Sequence, residues 1–102
     1  MFIVKVLKSM PYAQAHIRVC DNGSVHLFSY ETMVAEIDKD GWLRIYGLFS
    51  QTTRRHISAF MKEYTPCTYS TAKQIYQDDM VLNIKTGEIV KYEGYYQEEG
   101  WL

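Results

Sequence analysis

This 102-residue chain has little of almost everything that would announce a chemistry. Its two cysteines, Cys20 and Cys67, stand far apart with no second pair. That spacing excludes a disulfide framework and the paired knuckles of a structural zinc site, and leaves a single Cys20–Cys67 bridge as the only pairing to consider. Two prolines and six glycines give no low-complexity linker and no domain boundary. The formal net charge is −1, so no global field draws the chain to nucleic acid or to an anionic membrane. Any such role must rest on a local patch. No apolar run approaches the roughly 18 residues of a membrane span, and Met1–Lys8 has no basic region followed by a long apolar one. Together these absences predict reduced thiols, a cytoplasmic location and no membrane partner.

Catalytic signatures are missing too. The sequence holds no Gly-x-Ser-x-Gly, no Walker-type glycine-rich loop and no His-Glu-x-x-His. None of His16, His26 and His56 has a carboxylate or thiol beside it at a catalytic spacing. Asp38 with Asp40, and Glu98 with Glu99, read as turn and tail charges. Cys20, His26, His56 and Cys67 are candidate metal ligands at spacings that do not position a tetrahedral ion. The expectation is a protein that is not an enzyme, with no catalytic residue, no metal and no cofactor.

What the chain does have is apolar and aromatic. Apolar residues make up 47% and charged residues 23%, a globular composition sufficient for one modest core. Aromatics reach 15%, nine of them tyrosines, which suit half-buried strands and binding surfaces alike. One small domain over residues 1–102 is expected. Charge is uneven: from Asp78 onward six acids face two bases, and the segment before it carries the excess of bases.

Period-two alternation fills the first half. Phe2, Val4 and Val6 alternate with Ile3, Lys5 and Leu7 as a short strand with both faces partly covered, and Met10-Pro11 ends it. Ala13, Ala15, Ile17 and Val19 form a one-sided strand, and the Asn22-Gly23 turn returns the chain through Val25–Tyr30. A second hairpin follows: Met33–Ile37, an Asp38–Gly41 turn, then Trp42 to Phe49, with Leu43, Ile45 and Phe49 sharing a face and Gly47 marking a bulge or a close packing point. The period then changes. Ile57, Phe60, Met61 and Tyr64 recur as one face of a helix over about 52–64, capped by Ser50 or Thr52 and closed before Pro66. Ser70 is placed to cap a shorter helix over about 71–77, and Val81–Ile84 with Glu88–Tyr92 reads as a last hairpin. The predicted fold is α+β: an antiparallel sheet of five to seven strands with one main helix packed on it and a short second one.

Two stretches stand out as binding candidates. Thr52, Thr53, Arg54, Arg55 and His56 put hydroxyls, free N–H groups and two guanidiniums at a helix start. Cations there oppose the helix dipole by about 0.3–1 kcal/mol each, so an anionic partner would account for them. Salt bridges to Glu31, Glu36 or Asp38 of the same domain would account for them equally. Tyr95, Tyr96 and Trp101, with Tyr92, make an aromatic tail that is either a docking strand for a partner or a final strand on the sheet.

One pattern spans the middle of the chain: Ser29, Tyr30, Thr32, Val34 and Ala35, a glycine turn and an aromatic strand, then Ser50, Thr52, Thr53 and His56 opening a helix that reaches Phe60. It resembles a group of small uncharacterised phage and prophage proteins. The resemblance implies a viral context, with the host cytoplasm as location and a host protein as partner; by analogy it favours an accessory or anti-defence factor that inhibits by contact. Two alternatives stay open: a nucleic-acid-binding protein using Thr52–Arg55, and a structural homodimer.

Overall fold

The computed structural model describes residues 1–92; Tyr95, Tyr96 and Trp101 lie outside the described residues. The strands are β1 (Phe2–Lys5), β2 (Ala15–Cys20), β3 (Val25–Ser29), β4 (Thr32–Ile37), β5 (Trp42–Ile45), β6 (Met80–Asn83) and β7 (Ile89–Lys91). They form one antiparallel sheet in chain order. The helices α1 (Gln51–Tyr64) and α2 (Tyr69–Gln77) connect β5 to β6 without disturbing that order. The α+β expectation holds.

Local chemistry explains the turns. The β2–β3 loop needs only one positive φ, at Gly23 (92°), while Asn22 Oδ1 accepts from the Ser24 amide and hydroxyl at 2.9 and 2.7 Å. Asn22 therefore serves as a side-chain acceptor, and the left-handed position falls to the residue without a Cβ. β5 ends at Ile45, four residues short of the predicted strand. Phe49 does not share the face of Leu43 and Ile45: it takes φ 33°, stays 67% exposed and lays its ring on Gly47, where a Cβ would collide with it. Gly47 is thus a close packing point.

Both helices cover the same side of the sheet. On that inner face, Ile17, Leu27, Ala35 and Ile45 pair in a row across four strands, and Ile37, Leu43 and Leu82 make a second row. Ile57, Phe60 and Met61 of α1 and Ala72 and Ile75 of α2 are buried against these rows. A bulge in β4 opposite Leu27 and Phe28 inserts Val34, so the adjacent Val34 and Ala35 are both buried. Leu7, just after β1, is also buried, and the Lys8 amide donates to Glu63 Oε1 at 2.8 Å, fastening the β1–β2 connection to α1.

Three further expectations need correction. β1 is not covered on both faces: all four of its residues are exposed, because it is an edge strand beyond the reach of either helix. Ser70 does not cap α2; the helix starts two residues earlier than read, with Thr68 at the cap position and no side-chain bond there. The last strand is only Ile89–Lys91.

Phe60 is fully buried and its ring packs 5.0 Å from that of Tyr64. Phe60→Ala is expected to cost about 3–5 kcal/mol as a cavity, a large part of the stability of so small a domain. Thermal unfolding checks this, and an unchanged melting temperature would contradict the packing.

Candidate functional site

The residues read as a helix-start site divide into two sets. Ser50 caps α1 in extended geometry, its Oγ accepting from the Thr53 amide at 3.1 Å. From that cap the 3.6-residue repeat turns Thr53 and His56 inward, to 4% and 1% exposure, and leaves Arg54 and Arg55 outside with Thr52 half-buried. Thr53 and His56 are therefore not part of an exposed functional surface. They are pegs in the core.

What they hold is a polar chain through the interior. Ser29 Oγ, at the end of β3, lies 3.0 Å from Thr53 Oγ1 and 2.8 Å from His56 Nδ1, and the Ser50 hydroxyl donates to Thr53 Oγ1 at 3.2 Å. One proton assignment uses all three hydroxyl protons inside the cluster: Ser50 donates to Thr53, Thr53 to Ser29, and Ser29 to an unprotonated Nδ1 of His56. That requires a neutral imidazole, and burial pushes the His56 pKa below its ordinary value. The pattern residues Ser29, Ser50, Thr53 and His56, separate in sequence, thus meet in one network that pins the start of α1 to β3. Tyr30 leans over it, its ring 6.0 Å from that of His56, in a left-handed conformation (φ 57°) that costs a bulky residue about 1–3 kcal/mol.

Arg54 and Arg55 form no ion pair with Glu31, Glu36 or Asp38. Among the described residues the ion pairs are Met1–Asp21 and Arg44–Asp79, and His26 Nε2 lies 3.2 Å from Glu36 Oε2. Glu36 also accepts from the Tyr46 hydroxyl at 2.6 Å, and Asp38 accepts from the Asp40 and Trp42 amides of its own turn.

The richer surface is the outer face of the sheet, opposite the helices. Cross-strand register makes a row of Val4, Arg18, His26, Glu36 and Arg44, with Phe2 opposite Cys20 and His16 opposite Phe28. The Arg18 guanidinium sits between two rings, 4.8 Å from the centroid of Phe2 and 4.1 Å from that of Phe28. His16 stacks on Phe28 at 4.9 Å and 3°, and its Nε2 accepts from Arg18 Nε at 3.3 Å. Burial, and secondarily the Arg18 charge, push the His16 pKa down, which keeps that acceptor unprotonated. Further along, Arg44 lies over the rings of Tyr46 (5.0 Å) and Tyr92 (3.3 Å). At the His16 end the face opens into a groove of about 740 Å³ lined by Ala13–His16 and Tyr30–Thr32.

Phe2, His16, Arg18 and Phe28 were missed in the sequence because no single segment holds them. The signal was there in the predicted hairpin: pairing across the Asn22-Gly23 turn sets Arg18 and His16 beside His26 and Phe28. Cys20 and Cys67 are free thiols. Among the described residues no three His, Cys, Asp or Glu side chains converge on a metal-sized space, and no helix is long and apolar enough to cross a membrane.

His56 and His16 both have lowered pKa values, so the unfolded chain takes up protons before the folded one does. Stability is then full above the ordinary histidine value of 6.5 and falls as the pH drops below it. Melting temperatures at pH 7.5 and 5.5 check this, and His56→Asn should flatten part of the slope. An equal slope in that variant would contradict a neutral His56 in the network.

A family model described as a family of unknown function (DUF8033) matches residues 5–82, a span from the end of β1 into β6. No curated protein and no solved structure matches the chain.

Proposed function

We propose, for a chain that belongs to the DUF8033 family, that its work is binding and not catalysis, and that it docks a partner protein on the outer face of its sheet. The observation that carries this reading is the Phe2–Arg18–Phe28–His16 stack. Three aromatic rings and a guanidinium, partly open to solvent, are held in fixed geometry on a face that neither helix covers. Arginine and aromatic side chains are favoured anchors at protein interfaces, and a pre-stacked cluster loses little side-chain freedom when it is covered. The mixed row Arg18, His26, Glu36, Arg44 adds charges of both signs, which suits a protein partner better than a polyanion. The Ser29–His56 pair gives no competing reason to read an enzyme: both side chains are buried, and their hydrogen bonds join a helix to a strand.

The resemblance of Ser29–Ala35 and Ser50–Phe60 to small phage proteins supports the narrower form of the proposal. In that form the chain is a phage accessory or anti-defence factor in the host cytoplasm, and the partner is a host protein.

A second reading, nucleic acid at the α1 start, is favoured by one observation: Arg54 and Arg55 are exposed and pair with no carboxylate among the described residues. The two readings separate cleanly. A partner captured from host lysate should be lost by Arg18→Ala/Phe28→Ala and kept by Arg54→Ala/Arg55→Ala, each at an unchanged melting temperature and with little dependence on salt. The opposite pattern, with binding to a single-stranded oligonucleotide that weakens steeply as salt rises, would replace the sheet face with the helix start.

A further inference from the structure

The two edges of the sheet are treated differently. β7 has three residues, ends in Lys91 and follows Glu88, so charge flanks its short run. β1 also ends in a lysine, Lys5, but its apolar run is longer and more exposed. Phe2, Ile3, Val4 and the following Val6 are 46%, 67%, 58% and 52% exposed, apolar on both faces, with no proline, glycine or bulge among them. Among the described residues, β1 pairs with β2 alone. A long, exposed apolar run on an edge strand is a template for another strand, and proteins that leave one open aggregate unless something covers it.

We propose that what covers it is β1 of a second copy, paired antiparallel about a two-fold axis so that the two sheets run on as one. The occupant must be extended and largely apolar over the same positions. A second β1 meets that demand without any further assumption. Such a contact is isologous and closes at two copies, whereas joining β1 to β7 of another copy would propagate without end.

The register follows from the side-chain alternation. A two-fold normal to the sheet keeps like faces together, so a residue must lie opposite one of its own parity. Centring the axis on Val4 sets Phe2 opposite Val6 of the second copy and Ile3 opposite its Lys5. All four exposed apolar residues are then covered. Centring on Ile3 instead would leave Val6 bare and draw in Met1, whose amino group is held by Asp21 at 3.4 Å. In the Val4 register the two lysines sit diagonally, about 7–8 Å apart, and not directly opposite. Their aliphatic stems then lie on Ile3. The consequence reaches the outer face: Phe2 lies two residues from the axis, so the two Arg18–Phe2–Phe28 stacks come onto one continuous surface. The proposal stands whether or not that surface is where a partner binds.

Sedimentation velocity on the full chain over a wide concentration range tests it. The native chain should sediment at twice the chain mass. Val4→Asp, which sets two carboxylates face to face on the axis, should sediment at the chain mass with its circular dichroism unchanged, and Ile89→Asp on the far edge should stay doubled. In a Cys20→Ser/Cys67→Ser background, Val4→Cys should cross-link to a covalent dimer on oxidation, which keeps the test open should Val4→Asp fail to fold. A native chain at single mass at every concentration, a folded Val4→Asp that remains doubled, or a folded Val4→Cys chain that does not cross-link would each overturn the proposal.

Discussion

A seven-stranded sheet presents two faces, and the two helices among the described residues pack on only one of them. That imbalance governs the structure. α1 and α2 bury the rows built on Ile17, Leu27, Ala35, Ile45 and on Ile37, Leu43, Leu82. Every side chain of the opposite parity must then come to terms with water or with a partner. Arg18 does so by lying between Phe2 and Phe28, Glu36 by holding His26 and the Tyr46 hydroxyl, and Arg44 by covering Tyr46 and Tyr92. The face is neither a second core nor an ordinary charged exterior. It is a half-buried layer of rings and cations.

The position of α1 on the covered face depends on the buried chain from Ser50 through Thr53 and Ser29 to His56. Apolar packing alone would let α1 slide along the sheet, since hydrophobic contacts are not directional. Hydrogen bonds of 2.8 to 3.2 Å fix where the helix begins relative to β3, and breaking one inside the core costs about 1–3 kcal/mol. The same residues that looked like a ligand site therefore act structurally, by setting where α1 begins on the sheet.

Much of this was legible in the sequence, and the misreadings have physical causes. The strands of the first two hairpins and α1 were readable because their periods are clean and their turns carry Asn-Gly and Asp-x-Asp-Gly signals. Thr53 and His56 were misassigned because polar residues at a helix start suggest capping and exposure. Yet four residues back from Ile57 is Thr53, and four back from Phe60 is His56, so the buried stripe runs one turn further than its apolar members. β1 was read as covered because alternation shows which residues share a face, not whether anything packs on it. The Phe2–Arg18–Phe28 stack needs the register of three strands, which no local pattern encodes. The two arginines at the α1 start were weighed against intradomain salt bridges, and the structure removes that explanation while leaving them a smaller patch than the sheet offers.

Amide hydrogen exchange on the chain alone and in complex with its captured partner tests most directly whether the outer face is the working surface. Because sheet amides are already slowed by the ladder, added protection reports what comes to lie on the strands. The sheet-face reading predicts slower exchange within residues 2–5, 15–20 and 25–32, with Gln51–Arg55 unchanged. Protection confined to Gln51–Arg55, with the three strand segments exchanging as they do in the free chain, would contradict it.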